Sequence, residues 1–272
     1  VSEIAVTGSE GFIGRAVCKE LSKRGFTPMH VDRALGMDVR GASARDFIVD
    51  RAEGVIHLAG ILGTAELFEQ PQEAVDINVN GTINVLRACA VNKTPYVGIT
   101  MPQVWDNVYQ ATKLAAMKMA AAWHRHYDVP VAHVRAFNVY GPGQKVGSPQ
   151  KIIPTFSDQA WRHKPIPVWG DGSQVVDLIH VDRVAEMLVD VLRYGDNRVF
   201  DAGTARPVTV RYTAEKINEL CGQEPNFIEY LPMRKGEHGK GVYARGDGWE
   251  LLGYRPPFEL DRLQETVESY RQ

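Results

Sequence analysis

Two groups of residues in this sequence have the types and spacing of chemistry. The first is Gly8-Ser9-Glu10-Gly11-Phe12-Ile13-Gly14, a G-x-x-G-x-x-G run that follows a strand-like segment and opens a helical one. Backbone N–H groups in such a loop, backed by the positive end of a helix dipole, hold a pyrophosphate. Asp32 stands 18 positions beyond Gly14, at the end of the next strand-like run, where a carboxylate accepts from both hydroxyls of an adenosine ribose. Loop and acid together predict a dinucleotide site. The carboxylate also repels a 2′-phosphate, which favours NAD over NADP, although the adjacent Arg33 weakens that exclusion.

The second group is Tyr109 and Lys113, four apart on a helical segment and therefore on one face. An ammonium beside a phenol favours the phenolate. With the positive charge of an oxidised nicotinamide added, it lowers the tyrosine toward the range of a general base. On the same segment His124 and His126 are two apart and face different ways, so no metal site is predicted. His57, inside a strand that enters the cofactor site, reads as a packed or hydrogen-bonded histidine and not as a catalyst.

These groups need elements to carry them. Short apolar runs at Ile4 to Thr7, Thr27 to Val31, Phe47 to Val49, Gly54 to Leu58, Pro95 to Thr100 and Val129 to Phe137 read as strands. They alternate with helical spacing over Gly11 to Arg24, Glu73 to Ala90 and Tyr109 to Tyr127, the pattern of βαβ units around a parallel sheet. Past Gly141 the turn signals Gly141-Pro142-Gly143 and Gly170-Asp171-Gly172, with four prolines between them, mark a second and smaller region. Arg198 to Asp201 looks like one late return to the sheet. The fold class expected is therefore α/β, a Rossmann-type doubly wound parallel sheet with a smaller C-terminal α/β substrate domain. Residues 1–138 and 176–204 are assigned to the NAD-binding domain, and 139–175 and 205–272 to the substrate-binding one.

Composition narrows the partners. With 272 residues, 31 Lys+Arg against 33 Asp+Glu and no block of like charge, the chain lacks the basic face of a nucleic-acid binder. It has no apolar run of the roughly 18 residues that would span a membrane, and it opens on a strand-like segment, so it is expected to be cytoplasmic with a small-molecule substrate. Cys18, Cys89 and Cys221 are scattered and odd in number, which reads as reduced, buried thiols.

Several linked motifs, in order along nearly the whole chain, resemble the extended short-chain dehydrogenase/reductases of the NAD-dependent epimerase/dehydratase family. They are the glycine loop, Asp38-Val39, His57-Leu58-Ala59-Gly60, Asn78-Val79-Asn80-Gly81-Thr82, Tyr109 to Lys113, Arg135 to Gly143, Gly170 to Gln174 and Leu252-Gly253-Tyr254-Arg255-Pro256. The resemblance implies that Asp38 and Val39 contact the adenine, that Leu58, Ala59 and Gly60 line the dinucleotide, and that Asn78 supports it from the next strand. It implies Tyr109 as the base, Lys113 as its partner and as a holder of the nicotinamide ribose, and Phe137 beside the nicotinamide. Asn138 would reach the substrate, and Arg234, in a loop with Lys235, His238 and Lys240, would meet a diphosphate. A homodimer through the helix of Ala111 to Ala122 is also implied.

The pattern departs in three places. Where the family carries Ser or Thr after the fourth main strand, this chain has Met101 with Thr100 just before it, so Thr100, Gln103 or Asp106 would serve or the group is missing; Thr100 is preferred. Only eight residues separate Thr100 from Tyr109, which removes a stretch that walls the sugar pocket in relatives and disfavours a dehydratase or decarboxylase. Val176 stands where many relatives grip the diphosphate with arginine. The function expected is NAD-dependent epimerisation of a nucleotide-activated sugar through a keto intermediate. An NAD-dependent ketoreductase or dehydrogenase and a non-catalytic NAD-binding protein stay open as alternatives.

Overall fold

A computed structural model of the chain describes residues 2–104, 106–234, 241–245, 247–254 and 260–271. Its strands begin with Glu3–Thr7 (β1), Thr27–Val31 (β2), Gly54–His57 (β3), Tyr96–Thr100 (β4) and Val131–Ala136 (β5). There follow Asn138–Tyr140 (β6), Ile166–Trp169 (β7), Val175–Val176 (β8), Leu178–His180 (β9), Asp196–Ala202 (β10), Val208–Thr209 (β11) and Ile228–Leu231 (β12). The helices that matter for the site are Phe12–Lys23 (α1), Ala42–Arg51 (α2), Pro71–Val75 (α3), Gly81–Asn92 (α4), Val108–Tyr127 (α5), Ile152–Trp161 (α6), Val181–Asp190 (α7), Val210–Leu220 (α8) and Asp247–Leu251 (α9).

Six strands form one parallel sheet in the order β10-β5-β4-β3-β1-β2. The strands are apolar on both sides because both faces are covered. Ile4 and Val6 pack with Val17 and Leu21 of α1 and Val184 and Leu188 of α7, whereas Ala5 between them packs with Ile48 of α2 and Leu86 of α4. This is the doubly wound sheet expected. Strand order reverses between β1 and β3, and ligands of such sheets bind at the carboxyl ends of the strands at that point. Gly8 follows β1 there and Leu58 follows β3.

One expected strand is absent. Phe47 to Val49 lies inside α2, which joins β2 to β3 as the crossover a parallel pair requires. Three apolar residues in a row carry no period that separates strand from helix. Ala44 and Ile48, four apart and both buried, show which period holds.

A third apolar cluster gathers Tyr140 of β6, Ile153 and Phe156 of α6, Ile166 and Val168 of β7 and Ala214 and Ile217 of α8. The three cysteines are buried free thiols, as expected, and burial pushes Cys18 and Cys221 to about 11 and Cys89 to about 12. Arg255 and Pro256 of the tail motif lie outside the described residues.

Asp177, fully buried between β8 and β9, ties distant segments together. Its carboxylate accepts from Thr204 N (2.7 Å), Thr204 Oγ1 (2.6 Å), Ala205 N (3.1 Å) and Ala244 N (2.9 Å). Replacing it by alanine leaves three backbone N–H groups without this acceptor. An Asp177→Ala variant is expected to lose about 3 kcal/mol or more of unfolding free energy, read as a lower midpoint in a denaturant titration.

Candidate active site

The glycine loop lets backbone meet backbone. Gly8 has φ 74°, in the left-handed region, and donates to Val31 O at 2.8 Å. A Cβ on Gly8 would lie 2.8 Å from Ala59 N, and one on Gly14 only 2.1 Å from Gly8 O. The first turn of α1 is thus pressed against the ends of β1 and β3. Gly11, at the N-cap, offers no side chain to the N–H groups of Phe12, Ile13 and Gly14, which have no partner within the helix. Together with the helix dipole they form a site for an anion.

Asp32, just past β2, accepts from Glu10 N (3.0 Å) and Ala34 N (2.9 Å), one at each oxygen. Each oxygen keeps a further lone pair at the cleft, which Arg33 also lines. Asp38 lines the same end, but its carboxylate is clamped by Arg40 at 2.9 and 2.6 Å, which holds it below the usual carboxylate range. Val39, Leu58, Ala59 and Gly60 complete this wall. Asn78 does not line the cleft and is not on a strand: it sits in a π-helical turn, Asp76–Asn80, where it accepts from Ile61 N (2.9 Å) and donates to Ile61 O (3.0 Å). Its support for a cofactor is indirect, through the backbone that follows Gly60.

The same cleft, about 880 Å3, is lined by Tyr109, Lys113 and Thr100. Helix α5 starts where it does because Asn107 caps it, accepting from Gln110 N at 2.8 Å, while Gln110 Oε1 accepts from Val104 N at 2.6 Å and fastens the short connection. Tyr109 and Lys113 stand one turn apart on it. Burial pushes Tyr109 up to about 12 and Lys113 down to about 8. In the chain alone desolvation therefore dominates the tyrosine, and the lowering expected from the sequence needs the added charge of a bound nicotinamide. Thr100 ends β4 and is buried; Gln103 and Asp106, the other candidates for the third group, are exposed and do not line the cleft. Trp105, between Val104 and Asp106, lies outside the described residues.

Phe137 and Asn138 line the middle of the cleft. Asn138 Oδ1 accepts from Asp177 N at 3.1 Å, which fixes the side chain in the wall. Among the described residues, the lining beyond Gly141 holds the cations Lys145, Lys151 and Arg234 and no carboxylate, whereas the acids Asp32 and Asp38 lie at the end near the glycine loop. The Arg234 guanidinium lies 4.4 Å from the Trp169 ring centroid, and Val176 packs in the same wall. Lys235, His238 and Lys240 lie outside the described residues. Sequence reasoning missed Lys145, Lys151 and Trp169; the only signals were the turn before Gln144 and the Gly170-Asp171-Gly172 turn after Trp169.

The sequence profile described as the NAD dependent epimerase/dehydratase family matches residues 4–99 and 99–203. The chain belongs to the NAD-dependent epimerase/dehydratase family. A UDP-glucuronate 4-epimerase of Thermodesulfobacterium geofontis is 27% identical over 307 residues, 96% of this chain and 94% of that enzyme. A trifunctional UDP-glucose 4,6-dehydratase/3,5-epimerase/reductase of Arabidopsis thaliana is 31% identical over 69% of this chain, which spans only 31% of that enzyme's length. The UDP-glucose 4-epimerase of Thermotoga maritima, solved with UDP-glucose, has a TM-score of 0.91 over 99% of this chain and 98% of that one at 24% identity, a likeness of fold. NAD, the cofactor of the family, fits the residues found here: a glycine cradle that a Cβ would fill, an open helix N-terminus, and the Asp32 carboxylate beside them, bonded to Glu10 N of the same loop.

Lys113 is held at a cost. Its folded value is about 8 against an ordinary 10.5, so below pH 8 both folded and unfolded chains bind the proton and the burial penalty is fully felt. Between about 8 and 10.5 only the unfolded chain binds it, and stability rises with pH. A Lys113→Met variant is expected to be more stable at pH 7 by on the order of 3 kcal/mol, with the gain fading by pH 10.5, measured by denaturation at a series of pH values.

Proposed function

We propose that this chain is an NAD-dependent epimerase of a nucleotide-activated sugar, working through a transient keto sugar. The observation that carries the reading is the convergence of the glycine cradle, Tyr109, Lys113 and Thr100 on one cleft whose far wall is cationic. In this reading the backbone N–H groups of Phe12, Ile13 and Gly14 hold the cofactor pyrophosphate, Asp32 its adenosine ribose, Lys113 its nicotinamide ribose and Phe137 the nicotinamide. NAD, when bound, would supply the hydride acceptor and donor for a sugar carbon whose configuration is inverted. Tyr109 takes the proton of the sugar hydroxyl, and the Lys113 ammonium steadies the phenolate. Thr100 donates to the reacting oxygen. Lys145, Lys151 and Arg234 are the groups for a nucleotide diphosphate, taking over from the arginine that Val176 replaces. The names of the relatives, which act on UDP-sugars, support uridine as the nucleoside.

The assignment of residues 139–175 and 205–272 to substrate binding belongs to the same proposal and is supported by the third apolar cluster and its place beside Arg234. A cytoplasmic enzyme is proposed as well; among the described residues no helix is long and apolar enough to cross a membrane. The Ala- and Met-rich stretch of α5 from Ala111 to Ala122 is proposed as a dimer contact. Sedimentation at twice the 30.3 kDa chain mass is the expected result, and a monomer removes that part of the proposal. The short connection and Met101 favour one competing reading, an NAD-binding protein without chemistry. Tyr109→Phe decides between them: the variant should bind NAD unchanged and lose about 1,000-fold in kcat with nucleotide sugars. A wild-type protein that binds NAD but turns over no nucleotide sugar supports the competing reading.

A further inference from the structure

Beneath the cleft runs a chain of hydrogen bonds through five buried side chains, whose directions can be derived. Thr82 Oγ1 donates its one proton to Asn78 O at 2.7 Å, so at His57 Nε2, 3.0 Å away, it can only accept. His57 therefore carries its proton on Nε2 and presents a lone pair at Nδ1. Thr7 Oγ1 supplies the matching proton at 2.7 Å while itself accepting from Leu58 N (3.1 Å) and Ala59 N (3.2 Å). Asn78 continues the line. Both its amide protons are used, on Ile61 O and on Thr112 Oγ1, each at 3.0 Å, and Thr112 Oγ1 donates to Tyr109 O at 2.9 Å. Thr7, His57, Asn78, Thr82 and Thr112 are each at most 4% exposed, and Gly60 makes room for the Asn78 side-chain Oδ1, 2.8 Å from where a Cβ on Gly60 would be.

Thr7 is the last residue before the cofactor loop, and Tyr109 opens the catalytic helix. We infer that His57 is a positioning residue of the reaction: as the neutral Nε2–H tautomer it links the strand bearing the cofactor loop to Asn78, and through Asn78 and Thr112 to the backbone of Tyr109. The loop and the Tyr109–Lys113 pair then share one frame, although they lie about 100 residues apart in sequence. A fully satisfied buried network of this kind specifies one arrangement, because any shift leaves a polar group unpaired in a medium that does not screen it. The tautomer is stable against pH. Burial, then the charge of Lys113 on α5, then His133 on β5 push His57 down to about 3, and Tyr96 of β4 packs on the ring at 5.8 Å. A second proton would have to enter at Nδ1, against a Thr7 oxygen already accepting two N–H groups.

The inference rests on the epimerase reading for its link to turnover, and the test separates the two. Hydrogen exchange of the amides of residues 111–114 is followed without substrate in the wild type, in His57→Phe and in the milder Thr112→Val. Both variants are expected to speed exchange there and to leave α7 unaffected. With substrate, each is expected to lower kcat about tenfold or more at an unchanged NAD Kd, and the double variant to be no worse than the more damaging single one. Unchanged exchange at residues 111–114, or additive losses in kcat, overturns the inference. Coupled exchange in a protein that turns over no nucleotide sugar upholds it and overturns the epimerase reading instead.

Discussion

The contact on which the site depends is between two pieces of backbone. The Gly8 carbonyl lies where a side chain on Gly14 would begin, and the Gly8 α-carbon faces the Ala59 amide. With no side chain between them, α1 enters the crevice at the depth where the free N–H groups of its first turn reach a phosphate. The same closeness sets where β3 and the residues after it lie. Through Leu58 and Ala59 it reaches Thr7 and His57, and through Ile61 it reaches Asn78. A side chain at Gly14 would move a helix, two strand ends and the bonds that lead to Tyr109.

The end of the cleft that holds Tyr109 and Lys113 is arranged against its own solvation. A lysine and a tyrosine are taken out of water on one helix, and each is shifted toward its neutral form. Such a pair is tolerated because the surrounding frame is rigid and its polar groups are paired. Asn107 and Gln110 fasten the start of α5, and Thr112 ties its first turn to Asn78. The opposite end is arranged differently, with exposed or half-exposed cations and an aromatic ring, a surface suited to a charged group that brings its own hydration.

What was legible in the sequence followed local rules. Thr27 to Val31 matches β2 residue for residue, and the glycine loop, Asp32, Tyr109 and Lys113, which the structure brings to one cleft, are legible because each pattern depends on neighbours within a turn or a strand. The resemblance to a family supplied Thr100, Phe137, Asn138 and Arg234, all of which line the cleft. Phe47 to Val49 was misread because three apolar residues fit either period, and only packing between Ala44 and α4 decides it. Asn78 falls within the helical spacing of Glu73 to Ala90, and the structure keeps it there, in a π-helical turn; the strand placement comes from the resemblance alone. Lys145 and Lys151 carried no signal of their own; they line the cleft only because the fold brings the segment after Gly141 back across the strand ends.

Trp249 and Leu252 belong to the same apolar cluster as Ile4 and Val6, and the Trp249 indole donates to Gly203 O at 2.6 Å. The face of the sheet under α1 is thus completed by residues more than 240 positions after the strand they cover, and its edge strand β10 follows the other five strands of the sheet in sequence. While the chain emerges from the ribosome, the α2, α4 and α5 face can close first, and the other waits with exposed apolar surface until Trp249 and Leu252 appear. Vectorial synthesis therefore meets this fold in an unfavourable order. A chain that stops before Trp249 is not a smaller version of this fold but an open core, the kind of surface that chaperones and proteases engage.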